Sequence, residues 1–197
     1  MLVECGFVRA VASDGGEWTF TPSLARIAAL GDPHEIVALY ASLHGPHAAQ
    51  TAAYVLAGLC DQDDPSPLIG WHEEVAQDGG RPCLRWHVGQ MPEAEQVVIA
   101  RHLMQHGIVG KAKPEQQGSG KYSERFDASE YIAAARAHLG LSSADAEALS
   151  MTEFQTMLEM KFPDAMKAGK RDVPTREEYD AQMAAYATRR EREVSRV

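Results

Sequence analysis

The chain has 197 residues, 45% of them hydrophobic, and a formal charge of −9. That is enough to bury a sizeable core without disulfide staples, and it excludes disorder throughout. Residues 1–110 hold 5 Lys/Arg against 13 Asp/Glu and residues 111–197 hold 14 against 15, so the first part cannot present the excess of positive charge that a nucleic-acid surface needs.

In chain order, Leu2 to Ala12 and Trp18 to Thr21 flank the turn Ser13-Asp14-Gly15-Gly16 and predict a β-hairpin. Ser23 to Leu30 predicts a short helix stopped by Gly31. Asp32-Pro33-His34-Glu35 then supplies an N-cap, a proline at the first helical position and a glutamate three beyond the cap. This second helix runs to Gly45, and a third spans Pro46 to about Cys60. The polar, proline-containing residues 61–67 form a loop, Leu68 to Val75 is ambiguous, Gln77 to Pro82 is a turn, and Cys83 to Val88 suits a strand. A helix from Pro92 places Glu93 and Glu95 first and His102 and His106 last, matching the helix dipole, with Gly107 as its stop and Ile108 placed for a Schellman contact.

Residues 111–127 are rich in Gly, Lys, Gln and Ser and read as a linker between a 1–110 hairpin and helical domain and a helical region over 128–197. Within that region Ala128 to Leu139 is a helix ended by Gly140, and Ser143 to Leu149 is a short one. Thr152-Glu153-Phe154-Gln155 has the spacing of a capping box opening a helix that Pro163 closes. Phe154, Met157, Leu158 and Phe162 share its apolar stripe, and Tyr179, Met183 and Tyr186 recur at helical spacing further on. The fold class is therefore mainly α: an N-terminal β-hairpin plus helical bundle, then a small helical C-terminal part.

Chemistry-bearing patterns are sparse. His102 and His106 fall on one helix face at i, i+4, but an HExxH arrangement is absent and no spaced third ligand accompanies them, so they read as exposed histidines at a helix end. Gly118-Ser119-Gly120-Lys121 lacks the first glycine, the following Ser/Thr and the preceding strand of a phosphate-binding loop. Neither a GxSxG nor a GxGxxG motif occurs. Cys5, Cys60 and Cys83 are widely spaced and read as buried thiols of a reducing compartment. The expectation is a non-enzymatic cytoplasmic protein with no cofactor, no metal, no nucleic-acid partner and no membrane span, acting by binding other proteins.

The run Ala137-His138-Leu139-Gly140-Leu141-Ser142, followed by Ala148-Leu149-Ser150-Met151-Thr152-Glu153-Phe154-Gln155-Thr156-Met157-Leu158, resembles tail assembly chaperones of long-tailed bacteriophages. Leu139, Leu141, Leu149, Thr152, Glu153 and Leu158 match that family's outline of a Leu-Gly-Leu-type turn, a short helix and a threonine-capped helix. Asp145, Ala146 and Glu147 stand where its members carry a bulky residue. The resemblance implies a protein of the host cell cytoplasm that binds the tape measure protein and tail tube protein during virion morphogenesis, with self-association as a further option. Phe154, Met157, Leu158, Phe162, Tyr179, Met183 and Tyr186 are then the partner-binding candidates, the first four being equally well accounted for as core. The alternatives are a structural virion accessory protein at the head–tail junction or tail tip, and a small metal-dependent hydrolase built on the histidines.

Overall fold

The computed structural model describes residues 6–75, 83–111 and 124–163. It is mainly α, with two small antiparallel strand pairs. The first is the expected hairpin, β1 (Val8–Val11) with β2 (Glu17–Phe20), Val8 facing Phe20 and Val11 facing Glu17. Asp14 closes its turn by accepting from the Gly16 N–H, which holds the Asp14 carboxyl below its ordinary pKa.

Three helices follow. α1 (Leu24–Ala29) starts where the Ser23 hydroxyl accepts from the Arg26 N–H. α2 (Pro33–Ser42) carries the full capping box, Asp32 accepting from His34 and Glu35 N–H while Glu35 accepts from the Asp32 N–H. α3 (Ala48–Leu59) turns Ala52, Val55, Leu56 and Leu59 inward at i, i+3, i+4, i+7. The β1–β2 hairpin is sewn onto the end of α3 by a Phe20–Cys60 bridge, by Thr21 N–H to Leu59 O and by Asp61 N–H to Thr19 O. Arg26 reaches the same point, donating to the Cys60 carbonyl and pairing with Asp61 at 3.2 Å.

Inside the expected loop a single turn, α4 (Ser66–Ile69), buries Leu68 and Ile69 and delivers the chain into the second hairpin, β3 (Trp71–Val75) with β4 (Cys83–His87). The ambiguity at 68–75 is thus a real change of structure midway. Of the cysteines, Cys60 is buried and burial pushes its thiol pKa up, as a structural thiol should be. Cys83 corrects the expectation of buried thiols: it is exposed, at the outer end of β4 opposite Val75.

α5 (Glu93–Met104) packs along α3 and continues as a π-helical stretch, Gln105–Val109, through the predicted stop. α6 (Ala128–Ala134) likewise continues as a π-helical stretch, Ala135–Leu139, and ends at Gly140 in the left-handed conformation, as expected. α7 (Ser143–Ala148) is capped by Ser142 and α8 (Met151–Lys161) follows.

The core is built on α1, α3 and α5, with Phe20, Leu24, Ile27, Val55, Leu56, Leu59, Leu103 and Met104 fully shielded. Helices from both sides of residues 111–127 share it: α1 packs against α6 and α7, and the Leu24 N–H donates to the Leu149 carbonyl. Contacts divide the chain into two compact units, Met1–Leu158 and Glu159–Val197, so the predicted division at 111–127 falls inside the first. No helix of the described residues is long and apolar enough to cross a membrane.

Candidate protein-binding groove

Three elements frame a cleft of about 460 Å³ in the first unit. α3 contributes Ala49, Ala53 and Ala57, one ridge at i, i+4, i+8, with Tyr54 beside it. The β3–β4 hairpin contributes Trp71, His72 and Trp86, and α5 contributes Glu93 and Gln96. Alanine keeps the α3 wall low, so the aromatic rings stand above it. Its volume falls in the range of pockets that take a small ligand or a few side chains, roughly 300–1,000 Å³.

The frame is stiff at its base. Gln96 is 2% exposed, and its side-chain amide donates to the Ile69 carbonyl at 3.0 Å and the Met91 carbonyl at 2.9 Å, tying the start of α5 to the entry of the hairpin. The chain on either side of the hairpin is joined by Met91 N–H to Leu68 O and Gln90 N–H to Pro67 O. Gly70 permits the close approach of Trp86, whose ring would lie 2.6 Å from a Cβ there. Across the hairpin Trp71 stacks on His87 with centroids 4.4 Å apart, and His72 lies 4.6 Å from Trp86. Glu73 holds the far side of the His87 ring at 2.8 Å.

The mouth is another matter. Trp71 is 45% exposed and Tyr54 51%, although the Tyr54 hydroxyl is fixed by donating to the Leu30 carbonyl at 2.7 Å. Large rings held rigid yet open to water are the residue types that anchor protein interfaces.

The residues singled out from the sequence lie elsewhere. His102 and His106 are neighbours, with ring centroids 4.6 Å apart, but they are not exposed histidines as expected. His106 is partly buried, its Nδ1 2.8 Å from Thr152 Oγ1, and burial together with His102 pushes its pKa below the ordinary value. Among the described residues no group of three or more His, Cys, Asp or Glu is placed to hold a metal ion.

Thr152 is likewise not the helix cap. Ser150 is: its hydroxyl accepts from the Glu153 N–H while Glu153 accepts from the Ser150 N–H. Thr152 is 2% exposed and faces His106, and Gln155 reaches across to α5's extension, donating to the Val109 carbonyl and accepting from the Lys111 N–H. Gly107 is therefore a contact and not a stop, since a Cβ there would meet Ile27 Cδ1 at 2.6 Å; the turn is made at Gly110, whose φ is +70°.

Of the stripe on α8, Phe154 is 4% exposed and meets Tyr131 edge-on at 5.8 Å. Met157 and Leu158 are half-buried and Phe162 is exposed. Tyr179, Met183 and Tyr186 lie outside the described residues, as does Gly118-Ser119-Gly120-Lys121.

The family model described as a family of unknown function, DUF6246, matches residues 44–181. The chain belongs to this family. No curated protein and no solved structure matches it. The DUF6246 match takes in every residue of the groove and the whole contact between the α5 extension and α8, while the β1–β2 hairpin, α1 and α2 precede it. Sequence reasoning missed the groove because its α3 wall is alanine, which carries no chemical signal; the Trp-His pairs at 71–72 and 86–87 were the legible trace.

Proposed function

We propose that this DUF6246 protein is a non-enzymatic phage tail assembly chaperone of the host cell cytoplasm, which grips apolar helical stretches of the tape measure protein and tail tube subunits until the tail is built. The observation that carries the reading is the groove, an alanine-floored cleft with Tyr54 and Trp71 held open at its mouth. A long helical chain aggregates through its apolar stripe unless the stripe is covered, and a stiff cleft of this size covers a few of its side chains at a time. Such a grip is reversible because it buries little area. The resemblance at residues 137–158, short of the cap that Ser150 and not Thr152 supplies, is what suggests this partner, and the groove supports the means. Phe162, which is exposed, is a second contact on this reading.

Co-expression with a tape measure protein tests it. The partner's soluble fraction rises with wild-type chain and falls back when Ala53→Arg fills the cleft, and the chain is absent from purified particles. Unchanged partner solubility with wild-type chain overturns the reading, and a fixed stoichiometry in particles assigns the protein to virion structure instead.

A further inference from the structure

The groove is apolar at its floor but one-signed in charge at its edge. Glu93 lines it directly, in the exposed first turn of α5. On β3, Glu74 is exposed two residues beyond His72, and strand alternation puts both on the face of the hairpin that looks onto the cleft. Among the residues lining the groove there is no lysine or arginine. Of the described cations on these elements, Arg85 is paired in register with Glu73 on the face opposite His72 and Trp86, the face that also carries Trp71, and is not in the lining, and Arg101 donates twice to the Leu43 carbonyl. The surplus of acids over the first 110 residues adds a longer-range field of the same sign.

We infer that the groove selects a basic amphipathic helix: a partner segment whose apolar stripe enters between α3 and the β3–β4 hairpin while lysines or arginines flanking the stripe meet Glu74 and Glu93. The inference rests on the protein-binding reading of the groove and adds the charge class of the partner. A helix fits better than a strand because the Ala49, Ala53, Ala57 row is a low ridge at i+4 spacing, over which a second helix can lay its own side-chain rows closely. An acidic helix with the same stripe would bring carboxylates against carboxylates at a partly desolvated rim, where like charges repel most.

Two synthetic helical peptides decide it, identical in their leucine and methionine stripe, one with lysines and one with glutamates on the polar face. Their binding to the full chain is read by fluorescence anisotropy. The basic peptide binds at least about tenfold tighter at low salt, and the gap closes as ionic strength rises toward about 0.3 M. The double variant Glu74→Lys, Glu93→Lys reverses the order. Equal affinities, unaltered by that reversal, overturn the charge selection while leaving the groove a protein-binding site; so does a failure of both peptides to bind, with the co-expression result then deciding the groove separately. Binding of the basic peptide that survives both Ala53→Arg and Ala57→Arg, each checked for wild-type melting, overturns the groove itself.

Discussion

Two parts of the molecule hold its most conspicuous side chains, and they use them in opposite ways. Where the α5 extension meets α8, several polar groups turn inward onto partners: His106 onto Thr152, Gln155 onto Val109 and Lys111, Ser150 onto Glu153. At the groove the polar groups brace the frame from behind, Gln96 under the hairpin and Glu73 behind His87, while tyrosine and tryptophan rings face water. A buried polar joint is costly to leave unmade and so fixes geometry. An open aromatic cleft gains nothing until something fills it. His106, Thr152 and Gln155 thus belong here to folding, and the surface proposed for a partner is built largely from alanine and ring edges.

The difference is sharpest between Phe154 on α8 and Phe162 just past its end. Phe154 packs on Tyr131 in the core, so Phe154→Ala should cost about 3–5 kcal/mol in chemical denaturation. Phe162→Ala, at an exposed position, should cost clearly less than Phe154→Ala. Equal losses would erase the distinction between the two positions. Next in size is Gly110→Ala. The backbone there has φ +70° and ψ −135°, a region closed to residues with a side chain, and a Cβ would also fall 2.4 Å from Gln155 Oε1. A loss of about 1–3 kcal/mol is expected, against little change for Gly15→Ala in the β1–β2 turn beyond its own backbone strain, since nothing stands within 4 Å of a Cβ there.

How much of this was written in the sequence depends on the range of the interaction responsible. Caps and turns are local, and Asp32 with Glu35, the Asp14-Gly15-Gly16 turn and Gly140 each do what their spacing implied. Gly107 and Thr152 were misread because their partners are distant in sequence. A glycine that ends a helix and one that admits Ile27 look alike along the chain, and a Thr-x-x-Gln spacing is no cap once a serine two residues earlier takes the position and the threonine finds a histidine. The groove was illegible for a further reason: a cleft is defined by what its walls lack, and the row Ala49, Ala53, Ala57 reads as helix propensity until a hairpin rises beside it.

The joint should also be sensitive to acid. Thr152→Val removes the partner of a partly buried His106 nitrogen and should cost about 1–3 kcal/mol. Because burial and His102 lower the His106 pKa, the unfolded chain takes up the proton first as pH falls. The stability this neutral imidazole confers is therefore complete above the unfolded value of about 6.5 and is lost as pH drops from there toward the lowered folded pKa. Melting temperatures followed from pH 8 down to about 5 should fall more gently in His106→Gln than in wild type, since the glutamine does not titrate. Parallel profiles would show that the joint does not discriminate between the two charge states.

The smallest effect on stability is expected where the effect on binding is greatest. Ala57 is exposed on α3 and lines the groove, so Ala57→Arg should shift unfolding by no more than about 0.5 kcal/mol. Its long side chain nevertheless lies along the cleft and can pair with the acidic rim, occupying both the apolar volume and the charges a partner would use. The variant should therefore melt like wild type and fail to hold a basic helical peptide, where Gly110→Ala melts early yet binds normally at a temperature at which it is folded. Those two phenotypes together would separate the part of the molecule that builds the frame from the part that meets a partner. Were Ala57→Arg to lose stability and keep binding, the roles assigned to the joint and the groove would have to be exchanged.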